Sequence, residues 1–225
     1  MDKILLRNIT SEGRQTDITI ADGLIKRITP HSDEYQEPAS GVETIDCTGK
    51  VAVPGFINMH THAAMRGVGE DMVLQDWLKH IWAIESKLDA PFIYWGTKAA
   101  ALEMIKTGTS TFNDHYWFSP TARIAASEMD LRAAVSYLFL NHNDPEEAER
   151  EKEQCIKMHE TVPQWGTRSI FTIGIHSIYS VNEELILWAT EYARKHSLKI
   201  HIHLAESERE DLDCKAAHGG LSPVE

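Results

Sequence analysis

The sequence is short of cysteine, of positive charge and of long apolar runs, and each shortage removes a class of protein. Its three cysteines, Cys47, Cys155 and Cys214, are odd in number and far apart. That predicts free thiols in a reducing cytoplasm, not a disulfide framework or a thiolate metal site. Lys and Arg number 22 against 34 Asp and Glu, a formal charge of −12. With no basic surplus to neutralise phosphates, neither nucleic acid nor an anionic membrane is expected as a partner. No stretch approaches the ~20 apolar residues of a membrane span. The start, MDKILLRNITSEG, has neither the apolar core nor the cleavage site of a secretory leader. Nothing is of low complexity, and no segment repeats at a solenoid period. What remains is a globular chain of 225 residues, 42% hydrophobic and 25% charged, with room for one large domain or two small ones.

The pattern along the chain changes near residue 55. Before it, KILLRNIT and DITIADGLIKRITP alternate apolar and polar residues as strands do, and Asp22-Gly23 is a hairpin turn signal. Residues 31–44 read as a polar connection, and IDCTGKVAVPGF returns to β-like composition. After it, strands near 57, 111, 135, 172 and 201 alternate with helices over 74–88, 90–106, 120–129, 145–160, 181–196 and 206–217. A Gly-containing loop is expected between the first of these strands and its helix. Repeated strand–helix order implies a parallel sheet with helical crossovers. The expected division is therefore residues 1–55 and residues 56–225.

Histidine is plentiful, at 12 residues, so ligand spacing becomes the question. His60-Thr61-His62 closes the first βα strand and His201-Ile202-His203 closes the fifth. Residues two apart on a strand share a face, so each pair can offer two imidazoles to one ion. Two such pairs at the C-terminal ends of βα strands fall where α/β enzymes build their sites. His176 ends the fourth strand and His115 the second, on the same sheet edge. His115 stands open between lining the pocket and sitting in a loop. The remaining histidines, His31, His80, His142, His159, His196 and His218, fall on helices or polar loops and read as surface residues. Glu206 follows His203 by three residues. A metal ion lowers the pKa of bound water to about 7, and a neighbouring carboxylate can take that proton and pass it on. By its position Glu206 also suits the start of a helix.

The segments VAVPGFINMHTHAAMRGVGED, GIHSIYS and HIHLAES, in this order and spacing, resemble the amidohydrolase superfamily. Within it the chain is most similar to the cytosine-deaminase and chlorohydrolase branch, and there to the methylthioadenosine and S-adenosylhomocysteine deaminases. The resemblance implies a metal-dependent (β/α)8 TIM barrel with a small β-sandwich, to which the first 55 residues contribute. It implies His60, His62 and His203 as metal ligands, with His201 one layer deeper. It implies Glu206 as proton shuttle and substrate contact. His176 would be a catalytic group touching the substrate near its scissile carbon, and Glu85 a carboxylate that binds ribose hydroxyls. Without the resemblance Glu85 reads as a helix surface residue. The fourth strand ends without the lysine that bridges two ions in other superfamily members, so one divalent metal is expected, Zn2+ first, with Fe2+ and Mn2+ also suited to such ligands.

The same pattern supplies a histidine from a sixth strand and an aspartate from an eighth, and this chain carries neither. A full (β/α)8 barrel takes about 250 residues, more than follow residue 55. The chain is therefore read as the N-terminal portion, truncated after about five βα units. Three functions are expected in turn. The first is a cytoplasmic, metal-dependent deaminase of an adenosine-like amino-heterocycle, with a small-molecule substrate and compatible with a homo-oligomer. The second is a chlorohydrolase or alkylamine hydrolase acting on triazine-like rings. The third is a chain inactive by itself. Against the nucleoside pattern, no arginine follows the third strand before Arg150.

Overall fold

The computed structural model describes residues 3–34, 40–65 and 71–225. The expected Gly-containing loop (66–70) and the middle of the expected polar connection (35–39) lie outside the described residues. The chain forms two compact units, Met1–Pro54 and Gly55–Glu225.

The first unit is a four-stranded sheet of β1 (Lys3–Ser11), β2 (Arg14–Ala21), β3 (Leu24–Pro30) and β4 (Val42–Asp46), in the order β3-β2-β1-β4. Its two hairpins turn on Glu12-Gly13 and Asp22-Gly23, all four with positive φ, as a twisted two-residue hairpin requires. One expectation is corrected here. Residues 42–44 are not part of a polar connection but begin β4, which runs parallel to β1 with Leu5 opposite Thr44 and Leu6 opposite Ile45. A five-residue strand in which only Val42 is part-buried shows too little alternation to be read locally; its partner strand defines it. Ile9, Ile18 and Cys47 form the buried centre of this unit.

The second unit carries five parallel strands in sequential order, β5 (Phe56–Thr61), β6 (Thr109–Asp114), β7 (Arg132–Phe139), β8 (Ser169–Ile175) and β9 (Ile200–Ile202). The helices are α1 (Leu74–Glu85), α2 (Ala90–Thr107), α3 (Ser119–Glu128), α4 (Pro145–Glu160), α5 (Glu183–His196) and α6 (Glu208–Ala217). Their starts are chemically marked. The side chains of Asp89, Asp144, Asn182 and Ser207 accept backbone N–H groups at the first turns of α2, α4, α5 and α6, which satisfies donors the helix leaves free. Gly108, at φ 86°, ends α2 where a side chain would be strained. Helix α1 stops at Glu85, three residues short of expectation, because the Leu88 N–H turns back to the Glu85 carbonyl ahead of the Asp89 cap.

The core lies between sheet and helices. Phe112, Val135, Phe139, Ile173 and Ile175 from the strands are fully buried with Ala101 of α2, Ala126 of α3 and Leu185 of α5. This is the α/β barrel architecture expected, present as a curled parallel sheet of five strands. Among the described residues no helix is long and apolar enough to cross a membrane.

Candidate metal centre

Strands β5 and β9 are the two edges of the sheet, yet their histidines meet. His203 Nε2 lies 3.2 Å from His60 Nε2 and 3.2 Å from His62 Nε2. The other ring nitrogens are already engaged. His62 Nδ1 donates to the His115 carbonyl at 2.7 Å, and His203 Nδ1 to the His176 carbonyl at 2.9 Å. A carbonyl only accepts, so these two rings carry their proton on Nδ1 and present bare Nε2 lone pairs to each other. Burial holds the His60 and His62 imidazoles below their usual range, His62 to about 4, with the neighbouring His203 adding to the effect. They are neutral at pH 7 and able to ligate. Tetrahedral ligands about 2.0–2.1 Å from zinc stand about 3.3 Å apart, close to the spacing here. His60, His62 and His203 are the group among the described residues that could hold a metal ion, and their donor set fits one.

The backbone around this trio is braced. Hydrogen bonds continue past the strand ends, from His115 N–H to the Thr61 carbonyl, His176 N–H to Phe139, and His203 N–H to His176. The turn after His62 is held by Asp114, whose Oδ1 accepts the Ala63 N–H at 2.8 Å. Burial raises that carboxyl to about 7. Helix α2 lies close beneath the same turn, since a Cβ added to Gly96 would stand 2.9 Å from the Ala64 carbonyl oxygen.

His115 directly follows β6 and lines the pocket. It is fully buried, and its ring centroid lies 4.4 Å from that of His201 and 4.7 Å from that of His203. Gly174 makes the room: a Cβ there would lie 3.3 Å from His115 Cε1 and 2.7 Å from Ser136 Cβ. His201 is not among the converging ligand nitrogens. Its Nε2 lies 2.7 Å from His60 Nδ1, on the far side of that ring.

His176 is buried, its Nδ1 within 2.9 Å of Ser180 Oγ and 3.1 Å of Ser177 Oγ, and burial lowers its imidazole to about 3. Trp82 of α1 packs edge-on against it at 5.6 Å. Glu206 lines the same cleft, and its Oε2 accepts the Tyr179 hydroxyl at 2.9 Å. Glu85 also lines it. It is half-buried at the end of α1, its Oε2 accepts the Trp117 indole N–H at 3.2 Å, and burial raises its carboxyl. The plain surface reading of Glu85 is thus replaced.

Two further surface readings are corrected. His159 stacks on Phe171 at 5.1 Å and meets the Tyr192 hydroxyl at 2.8 Å. His31 is half-buried against Asp17 at 2.7 Å. Aromatic and carboxylate neighbours from distant segments bury both rings, which local polarity does not reveal. Arg150 pairs with Glu147 on its own helix.

Sequence reasoning missed Glu210. It is buried, and its two carboxylate oxygens accept the backbone N–H groups of Ala205 at 3.1 Å and Glu206 at 2.7 Å. Ala205 sits in the left-handed region at φ 57°, so Glu210 fixes a strained turn that presents Glu206. The signal was available: Ser207-x-x-Glu210 has the spacing of a capping box. Tyr179 and Trp117, which hold the two candidate carboxylates, carried no such signal.

Residues 51–223 match the amidohydrolase family. The chain is 42% identical over 182 residues to a 5'-deoxyadenosine deaminase of Methanoregula boonei, covering 77% of this chain and 40% of that protein. It is 41% identical over 181 residues to 5-methylthioadenosine/S-adenosylhomocysteine deaminase 1 of Archaeoglobus fulgidus, covering 79% and 42%. It thus spans less than half the length of these curated relatives. Among solved structures it resembles a zinc-bound adenosine deaminase from Xanthomonas campestris, with a TM-score of 0.82 at 23% identity over 99% of this chain and 53% of that one. It also resembles a zinc-complexed atrazine chlorohydrolase from Arthrobacter aurescens, with a TM-score of 0.79 at 19% identity over 98% and 56%. At these identities the likeness is one of fold.

Proposed function

The chain belongs to the amidohydrolase family, and from that premise we propose that it serves a metal-dependent hydrolysis that deaminates an adenosine-like heterocycle and releases ammonia. The observation that carries the proposal is the convergence of three imidazole Nε2 atoms in the cleft that Glu206 also lines. His60, His62 and His203 would hold the ion, zinc foremost. A divalent ion bound there supplies Lewis-acid activation of water near neutral pH.

The remaining work falls to this chain's own groups. Glu206, oriented by Tyr179, takes a proton from the attacking water and delivers it to the ring nitrogen, then moves the second proton, from the new hydroxyl on the ring carbon, to the amine, which departs as ammonia. His176 has Nδ1 occupied by two serine hydroxyls, which leaves Nε2 to contact the substrate near its scissile carbon. Glu85, held by Trp117, accepts hydrogen bonds from ribose hydroxyls. The relatives of 41–42% identity are named for deamination of deoxyadenosine and thioadenosine substrates. The triazine-ring reading rests on likeness of fold alone, so the deaminase reading is preferred. The three free cysteines support a cytoplasmic setting.

The test is ammonia release by the zinc-loaded protein from 5'-deoxyadenosine, methylthioadenosine and adenosine. Glu206→Gln is expected to lower kcat by about 10²–10⁴ while zinc content stays at the parent level. An unchanged rate in that variant would remove Glu206 from the mechanism. Chloride release from a triazine in place of ammonia from all three nucleosides would overturn the substrate class.

A further inference from the structure

We propose that His201 is a positioning residue of the metal centre, the hydrogen-bond acceptor that fixes the tautomer and orientation of His60. The inference rests on the metal centre proposed above and is independent of the substrate.

Each candidate ligand ring must keep its proton on the nitrogen that turns away from the ion. For His62 and His203 the main chain ensures this, through the carbonyls of His115 and His176. The Nδ1 of His60 has a side chain instead. His201 Nε2 stands 2.7 Å from it, while His60 Nε2 faces His203 Nε2 at 3.2 Å. His60 is therefore clamped between His201 of β9 and His203 just past its end, one on each of its nitrogens. Both meet it edge-on, at interplanar angles of 83° and 76°. With His60 offering Nε2 to the ion, its proton must be on Nδ1, and His201 Nε2 must accept it. Outer partners of this kind set ligand basicity and ring orientation at metal sites.

The proton of His201 then lies on Nδ1, a buried atom without a hydrogen-bond partner among the described residues. The ring packed beside it is His115, whose two nitrogens are also buried and have no partner among the described residues. Unpaired buried polar atoms cost stability. A packing role alone would be served better by an apolar side chain at residue 201. The H-x-H spacing on β9 accordingly has two distinct uses: His203 points Nε2 at the ion, and His201 points Nε2 at the ligand across from it.

The test compares the parent with His201→Ala and His201→Gln. The readouts are zinc affinity, by competition with a chromophoric chelator, and the visible absorption of the cobalt(II)-substituted protein. Circular dichroism checks the fold. The Ala variant should bind zinc about 10–100-fold more weakly and shift the cobalt bands, while Gln, whose amide oxygen can accept the same proton, should recover most of both. Unchanged affinity and spectrum in the Ala variant would overturn the proposal. An equal loss in both variants would also overturn it, by assigning the effect to ring packing, as would a loss beyond about 10³-fold in the Ala variant, by making His201 a ligand. No substrate enters these measurements. A parent protein that binds cobalt but releases no ammonia would sink the deaminase reading and leave the His201 inference standing.

Discussion

Acidifying the metal-free protein probes the histidine cluster directly. Burial first, and then the neighbouring His203, holds His62 down to about 4 and His176 to about 3. In the unfolded chain both imidazoles take up a proton near 6.5. Between that value and the folded ones, the unfolded chain binds protons that the folded chain refuses, so stability falls as the pH falls. From about pH 7.5 to about pH 5 each histidine costs about 2 kcal/mol, and the pair about 4 kcal/mol. That is a large share of the about 5–15 kcal/mol that holds a domain folded. For a chain of this size each kcal/mol moves the melting midpoint by about 2–4 °C, so the pair lowers Tm by about 8–16 °C, while the buried carboxyls of Asp114 and Glu151, raised to about 7, act in the opposite direction. Differential scanning calorimetry in chelator at the two pH values measures it. His176→Gln removes one titrating group, so the change in Tm between the two pH values should differ from the parent's by about 4–8 °C, in the direction of a smaller fall. A variant whose pH-dependent change in midpoint lies within about 2 °C of the parent's would refute the claim that the His176 ring is buried in the neutral form.

Two further outcomes follow from the braces around the site. Glu210→Ala strips the acceptor from two backbone N–H groups, which costs about 1–3 kcal/mol. Hydrogen exchange at Ala205 and Glu206 should speed up and kcat should fall at unchanged KM; normal protection at those amides would show that the turn holds without Glu210. Trp117→Phe removes the indole donor from Glu85 and should raise KM for nucleosides about tenfold with little change in kcat. A fall in kcat at constant KM would place Trp117 in the chemical step instead.

Much of this architecture was legible because its signals are local. The alternation of short apolar strands with longer amphipathic segments gives the βα order. The two H-x-H pairs placed His60, His62, His201 and His203 at one sheet edge, and the resemblance to the amidohydrolases implied His60, His62 and His203 as the ligands among them. What could not be read depends on distant segments. β4 needs β1 to define it, and His159 needs Phe171 to bury it. His201 and His60 are 141 residues apart, and no sequence pattern states that a histidine expected one layer deeper would reach the back of the first strand's ring. Glu210 lay between these cases: its spacing was visible, but its grip on Ala205 and Glu206 depends on a left-handed turn that an alanine does not announce.

The meeting of β5 with β9 has a mechanical meaning as well. Strands spaced about 4.8 Å apart would put the first and fifth strands of a flat sheet about 19 Å apart. Their histidine nitrogens stand 3.2 Å apart. An ion held by His60, His62 and His203 would tie the ends of β5 and β9 together, so its binding energy would also resist flattening of the sheet between them.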